Sequence, residues 1–206
     1  MTITITRLYQ SHAEARSVVE ALEAADVGSR NISVVASNAE DWHKDKKPAT
    51  YPDKDLDGRD DRAEAAGAGA GVGAAVGGTV GALTGLGLMA IPGVGPIVAA
   101  GWLVATLAGA AAGGATGGIV GALTQIGSTP EEAEVYAESL RRGRAVVSVR
   151  ADEKDKARIA GIMDRSSINP MDRRKAYSGA GWTRFDPAAP TYNADMVRKE
   201  RELHRV

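Results

Sequence analysis

No cysteine occurs in the 206 residues, which removes disulfides, thiolate nucleophiles and thiolate metal sites and fits a reducing compartment. An excess of either charge is missing too. The formal net charge is −1, so no overall field draws nucleic acid, and no basic stripe is interleaved with aromatics. Histidine is scarce: His12, His43 and His204 fall in a helix cap, a polar linker and the chain end, without metal-ligand spacing. No nucleophile–base pair stands out, so no enzyme, catalytic residue, cofactor or small-molecule substrate is expected. The start, Met1-Thr2-Ile3-Thr4-Ile5-Thr6-Arg7, lacks an apolar signal core, which leads to the expectation of cytoplasmic chain ends.

A second absence organises the chain. From Ala65 to Pro130 there is no Asp, Glu, Lys, Arg or His. Two series of small residues recur there every four positions: Gly69, Gly73, Gly77, Gly81, Gly85, and then Gly101, Ala105, Gly109, Gly113, Gly117, Gly121. On a helix each series makes one row on one face. Between them Pro92, Gly93, Gly95 and Pro96 favour a turn. The pattern predicts two helices, 66–90 and 97–126, folded back as an antiparallel hairpin. Helical glycine costs ~1 kcal/mol relative to alanine, and close backbone approach along a glycine groove offsets that. Each arm is long enough for a bilayer core of about 30 Å at 1.5 Å per residue. Basic residues on either side, Lys46, Lys47, Lys54, Arg59 and Arg62 before and Arg141, Arg142 and Arg144 after, agree with the positive-inside tendency. A dinucleotide fingerprint at Gly85–Ala90 is rejected, since no strand precedes it and no acidic or basic partner follows.

Around this block the sequence reads as an α+β domain. Residues 2–8 alternate Thr and apolar residues as a strand, Ser11 to Glu14 form a capping box, and Gly28 stops the following helix. Ile32, Val34 and Val35 make a second strand, expected to run parallel to the first. After the block, Thr129-Pro130-Glu131-Glu132 is a helix start, and Ala145, Val146, Val147 and Val149 make a strand apolar enough to be central. Asp152 is expected to cap another helix, and 168–173 could add a short strand. The sum is a small βαβ–αβα (ferredoxin-like) sandwich interrupted by the long helical hairpin. Its parts are 1–36 (first half), 37–65 (polar neck), 66–127 (hairpin), 128–168 (second half) and 169–206 (C-terminal extension with a short helix begun at Asn193).

Within the neck, Asp53, Asp55, Asp57, Gly58, Asp61 and Glu64 match the oxygen-ligand spacing of a calcium loop. Pro48 and Pro52 remove the regular entering helix, so a solvated neck is the main expectation and a weak Ca²⁺ site the lesser one. In the extension, Trp182 and Phe185 gain nothing in water and are expected to dock, either on their own sandwich or on a neighbouring subunit.

The run Ala90-Ile91-Pro92-Gly93-Val94-Gly95-Pro96 and the helix start from Thr129 to Tyr136 resemble the bacterial general stress proteins, also described as heat-induced or low-temperature-induced stress proteins. The resemblance spans about residues 2–168. Gly181-Trp182-Thr183-Arg184-Phe185-Asp186-Pro187 is similar to an extension found in part of that family. The resemblance implies induction under general stress, no catalytic residues, and a membrane-associated or self-assembling role; it does not support the calcium loop. The expectation that follows is a homo-oligomer embedded through the hairpin in the lipid bilayer of the bacterial inner membrane, facing the cytoplasm. The alternative is a soluble structural protein whose copies form a ring, cage or filament with the hairpins packed inside.

Overall fold

The computed structural model describes residues 2–43, 87–112 and 118–203. Five strands form one open antiparallel sheet: β1 (Thr2–Tyr9), β2 (Ile32–Ser37), β3 (Gly87–Ile91), β4 (Gly95–Ala100) and β5 (Ala145–Asp152), in the order β1-β5-β2-β4-β3. Seven helices are described with them: α1 (His12–Ala24), α2 (Leu103–Ala112), α3 (Gly118–Gln125), α4 (Pro130–Arg141), α5 (Lys156–Met163), α6 (Pro170–Gly179) and α7 (Ala194–Leu203).

The apolar strand β5 lies between β1 and β2 and pairs with each antiparallel, so β1 and β2 run the same way without touching. Its alternate residues explain the need for cover on two sides. Val147 and Val149 join Ile5, Val34 and Leu22 in one core, and Val146 joins Leu8, Val35 and Leu140 in the other. Helices α1 and α5 close the first core, while α2, α3 and α4 close the second. Helices therefore lie on both faces, where a two-layer ferredoxin-like sandwich was expected. The cause is supply: the apolar helices Leu103–Ala112 and Gly118–Gln125 bury the second face.

Local chemistry accounts for the element ends. Thr129 and Glu132 exchange capping bonds at the start of α4, with Pro130 in the first turn. Ser11 accepts from Glu14 N at the start of α1. Asp152 leads into a 3₁₀ turn at Glu153–Asp155 rather than capping α5 directly. Residue Ile168 contributes one bridge to Leu8, and Asn169 then caps α6, so the short strand proposed over 168–173 is a helix start instead. Asn193 Oδ1 accepts from Met196 N at 2.9 Å to begin α7.

The largest correction falls on the hairpin. Pro92, Gly93, Gly95 and Pro96 do reverse the chain, but they join two strands rather than two helices. Val94 N donates to Ile91 O at 3.0 Å, and Gly93 takes φ +76° after Pro92, the pattern of a type II turn. Strand β4 then pairs along β2, from Val34 opposite Ala100 to Ser37 opposite Ile97. Bonding to the open side of β2 outweighs a four-residue rhythm of small residues, which fixes no hydrogen-bond partner by itself.

The membrane reading falls with it. No helix among the described residues is long and apolar enough to cross a membrane. Helices α2 and α3 have 10 and 8 residues, about 15 and 12 Å at 1.5 Å per residue, against a bilayer core of about 30 Å. The lipid bilayer as partner and the inner membrane as location are withdrawn on that ground.

Candidate functional site

Strand β1 forms one edge of the sheet, and its hydrogen-bonding phase can be worked out. Ser37 N donates to Arg144 O, so residues 144, 146, 148 and 150 present their backbone to β2, and 145, 147, 149 and 151 present theirs to β1. In β1 the odd residues therefore bond β5, and Thr2, Thr4, Thr6 and Leu8 point outward. Two of the outward carbonyls are occupied. Leu8 O accepts from Ile168 N at 2.7 Å, and Thr6 O accepts from Arg7 Nη1 at 2.9 Å and from the Tyr136 hydroxyl at 3.4 Å. Among the described residues no strand covers the rest of this edge.

A cleft of ≈ 560 Å³ runs along it, floored by Thr2 to Arg7 and walled by Gln125 to Ser128, Glu132 and Tyr136 on one side and Lys156 and Ala160 on the other. Arg7 Nε holds Asp164 Oδ1 at 2.6 Å near its end. Burial pushes the Tyr136 phenol well above its ordinary range, so it remains a hydrogen-bond donor. The cleft contains backbone donors and acceptors, hydroxyls and a few mixed charges, and no nucleophile beside a base. What it offers chemically is strand pairing.

A second concentration of polar chemistry lies where α4, α6 and α7 meet. Glu138, Arg141 and Arg142 share one side of α4 at spacings of three and four. Glu138 is fully buried; it accepts from Arg141 Nη2 and, at 2.5 Å, from Arg142 Nε. Glu200 on α7 accepts from Arg142 Nη1 at 3.2 Å and lies 3.7 Å from Arg144 Nη1. Arg144, 2 % exposed, donates to the Tyr177 hydroxyl at 3.0 Å and to Gln10 Oε1 at 3.2 Å. The Arg142 guanidinium sits 4.1 Å from the Tyr177 ring centroid, and those of Arg144 and Arg173 lie 5.9 Å from it. Burial raises the Tyr177 pKa despite the neighbouring guanidinium of Arg144 and the Ser139 hydroxyl, so the phenol carries no charge. Burial lowers that of Arg144, with Arg173 adding to the effect and Tyr177 opposing it.

The residues singled out from sequence scatter. Gly69, Gly73, Gly77, Gly81, Gly85, Gly113 and Gly117 lie outside the described residues, as do Asp53, Asp55, Asp57, Asp61 and Glu64. Gly101 ends β4, Gly109 lies within α2, and Gly121 lies within α3, where a methyl group would meet nothing within 4 Å. Among the described residues no group of three or more His, Asp or Glu could hold a metal ion. Trp182 is buried with Tyr177 and Val135, and Phe185 packs partly buried on the same group, its ring 5.4 Å from the Arg141 guanidinium.

Sequence reasoning overlooked both concentrations. Arg141, Arg142 and Arg144 were weighed only as flanking charge, although Glu138 stood in helical register with the first two. The edge position of β1 had no local signal, but the palindrome Thr2-Ile3-Thr4-Ile5-Thr6 was visible. No family model, curated protein or solved structure matches the chain.

Proposed function

We propose that the chain is a non-catalytic assembly protein whose copies join through the outer edge of β1. One observation carries this: Thr2-Ile3-Thr4-Ile5-Thr6 is a palindrome lying on an edge where, among the described residues, the outward groups of Thr2 and Thr4 are uncovered and the Thr6 carbonyl is taken. Antiparallel pairing of two copies about Thr4 puts Thr opposite Thr and Ile opposite Ile. Thr4 would exchange both backbone bonds with its counterpart, and Thr6 N would reach Thr2 O across the axis. Thr6 O, already bonded to Arg7 and Tyr136, makes no such demand. The pairing is isologous and closes at two copies. A larger ring, cage or filament would need a further contact. The split β1-α1-β2 unit around β5 is the part of a ferredoxin-like plan that supports this layout. The general-stress resemblance belongs to the same reading: a stress-induced protein without a reaction to run would act through its copies.

Thr4→Pro tests it. Proline removes an outward N–H that β5 does not use, which an edge strand tolerates. Light scattering after gel filtration should give twice the 21.3 kDa of one chain for the parent, and a single-chain mass for T4P with an unchanged far-ultraviolet spectrum. A parent that stays monomeric at hundreds of micromolar, or a T4P variant that still pairs, overturns the reading.

A further inference from the structure

We infer that the guanidinium cluster around Tyr177 binds one small inorganic anion. Charge comes first. Arg141, Arg142, Arg144 and Arg173 are set against Glu138 and Glu200; four positive and two negative charges leave two uncompensated among the described residues. All six side chains are largely or wholly buried, with Arg144 and Arg173 at 2 % and 7 % exposure. Like charges taken out of water are strongly unfavourable unless paired. A tyrosinate cannot supply the missing charge, because Tyr177 is held in its neutral form.

Hydrogen bonding agrees. Arg144 Nη2 and Arg173 Nε are buried N–H donors with no partner among the described residues, and both belong to guanidiniums that flank the same ring. A buried donor without an acceptor has given up its water for nothing, and the loss is greater when the group is charged. One anion between these two groups answers the charge and the donors at once. Guanidinium donors accept chloride as well as the oxygens of phosphate or sulfate, so the class is set by size and charge. Glu200 covers the cluster from α7, and Val197 of the same helix packs over Gly143.

The test is thermal unfolding of the full chain at fixed ionic strength, replacing sodium gluconate stepwise by chloride in one series and by phosphate in another. Binding to the folded form alone raises Tm by about 3–5 °C per tenfold increase once the site is mostly filled. The series whose rise begins at the lower concentration identifies the better-fitting anion. Arg173→Gln should be no less stable than the parent in gluconate, having shed one unpaired charge, and should lose the anion-dependent rise; R173K should keep part of it. A parent Tm that does not move in either series, or an R173Q slope equal to the parent's, overturns the proposal. Should R173Q fail to fold, chloride nuclear-resonance line broadening on the parent, displaced or not by phosphate, decides the matter without it.

Discussion

Two glycines from one four-residue series respond to a methyl group in opposite ways. Gly101 holds φ +87°, and a Cβ there would overlap the Ile32 carbonyl and the Ser33 side chain. That close approach is what lets Ser33 Oγ accept from Leu103 N at 2.8 Å and start α2. Gly101→Ala should cost about 2–5 kcal/mol from left-handed strain plus overlap. Gly121 lies in a helix with open space around it, so Gly121→Ala should stabilise by about 0.5–1 kcal/mol. Urea midpoints of the two variants check both signs; a destabilised G121A would mean a helix pressed against that row. His12 supplies a pH dependence at the same scale. Its ring stacks on Trp42 at 3.7 Å with Nε2 buried and unpartnered among the described residues, and burial, reinforced by Arg16 and His43, lowers its pKa. The unfolded chain therefore takes up the proton first as pH falls through about 6.5. Stability should be full above that point, decline below it, and level off once the folded imidazole is protonated too. His12→Gln should remove that part of the slope between urea midpoints at pH 8 and pH 5.

Among elements, the strands show how edge position sets chemistry. β5 and β2 are paired on two sides, so their residues answer only to the cores. Among the described residues β1 is paired on one, and the same Thr–Ile alternation that packs Ile5 inward leaves Thr4 with an N–H that none of them uses. That is why Thr4→Pro is expected to change association while leaving the fold intact, and why proline at Ile5, whose N–H faces β5, is expected to break the strand. Helix α4 was the most legible element: its capping box, first-turn proline and the buried stripe Val135, Tyr136, Leu140 all follow from spacing. The Pro–Gly turn was equally legible as a reversal. Which elements it joined was not, because proline and glycine break helix and strand alike, and neither says what arrives on either side.

For the whole molecule, the C-terminal segment works as a strap. Pro187 and Thr191 lie over Gly93 and Gly95 of the β-turn, Asp186 O accepts from Arg141 at 3.1 Å, and Arg201 pairs with Glu40 at 2.5 Å. Glu200 adds one of the cluster's two carboxylates from beyond α6. Removing its charge should therefore be felt by the entire domain: Glu200→Gln is expected to lower stability by about 3 kcal/mol, the scale of a broken buried pair. Calorimetry should show one transition for parent and variant; a loss below about 0.5 kcal/mol would mark Glu200 as a surface group.

By itself the sequence determined where α1, α4 and α7 start, where the chain reverses, and that β5 is interior, because caps, proline and runs of valine act over a few residues. Only the tertiary structure decided that residues 87–91 and 95–100 are strands, that the helices cover two faces, and that three arginines share one phenol. Those outcomes depend on which hydrogen-bonding edge and which apolar face remain open after the rest has folded. A four-residue rhythm of glycine carries no record of either.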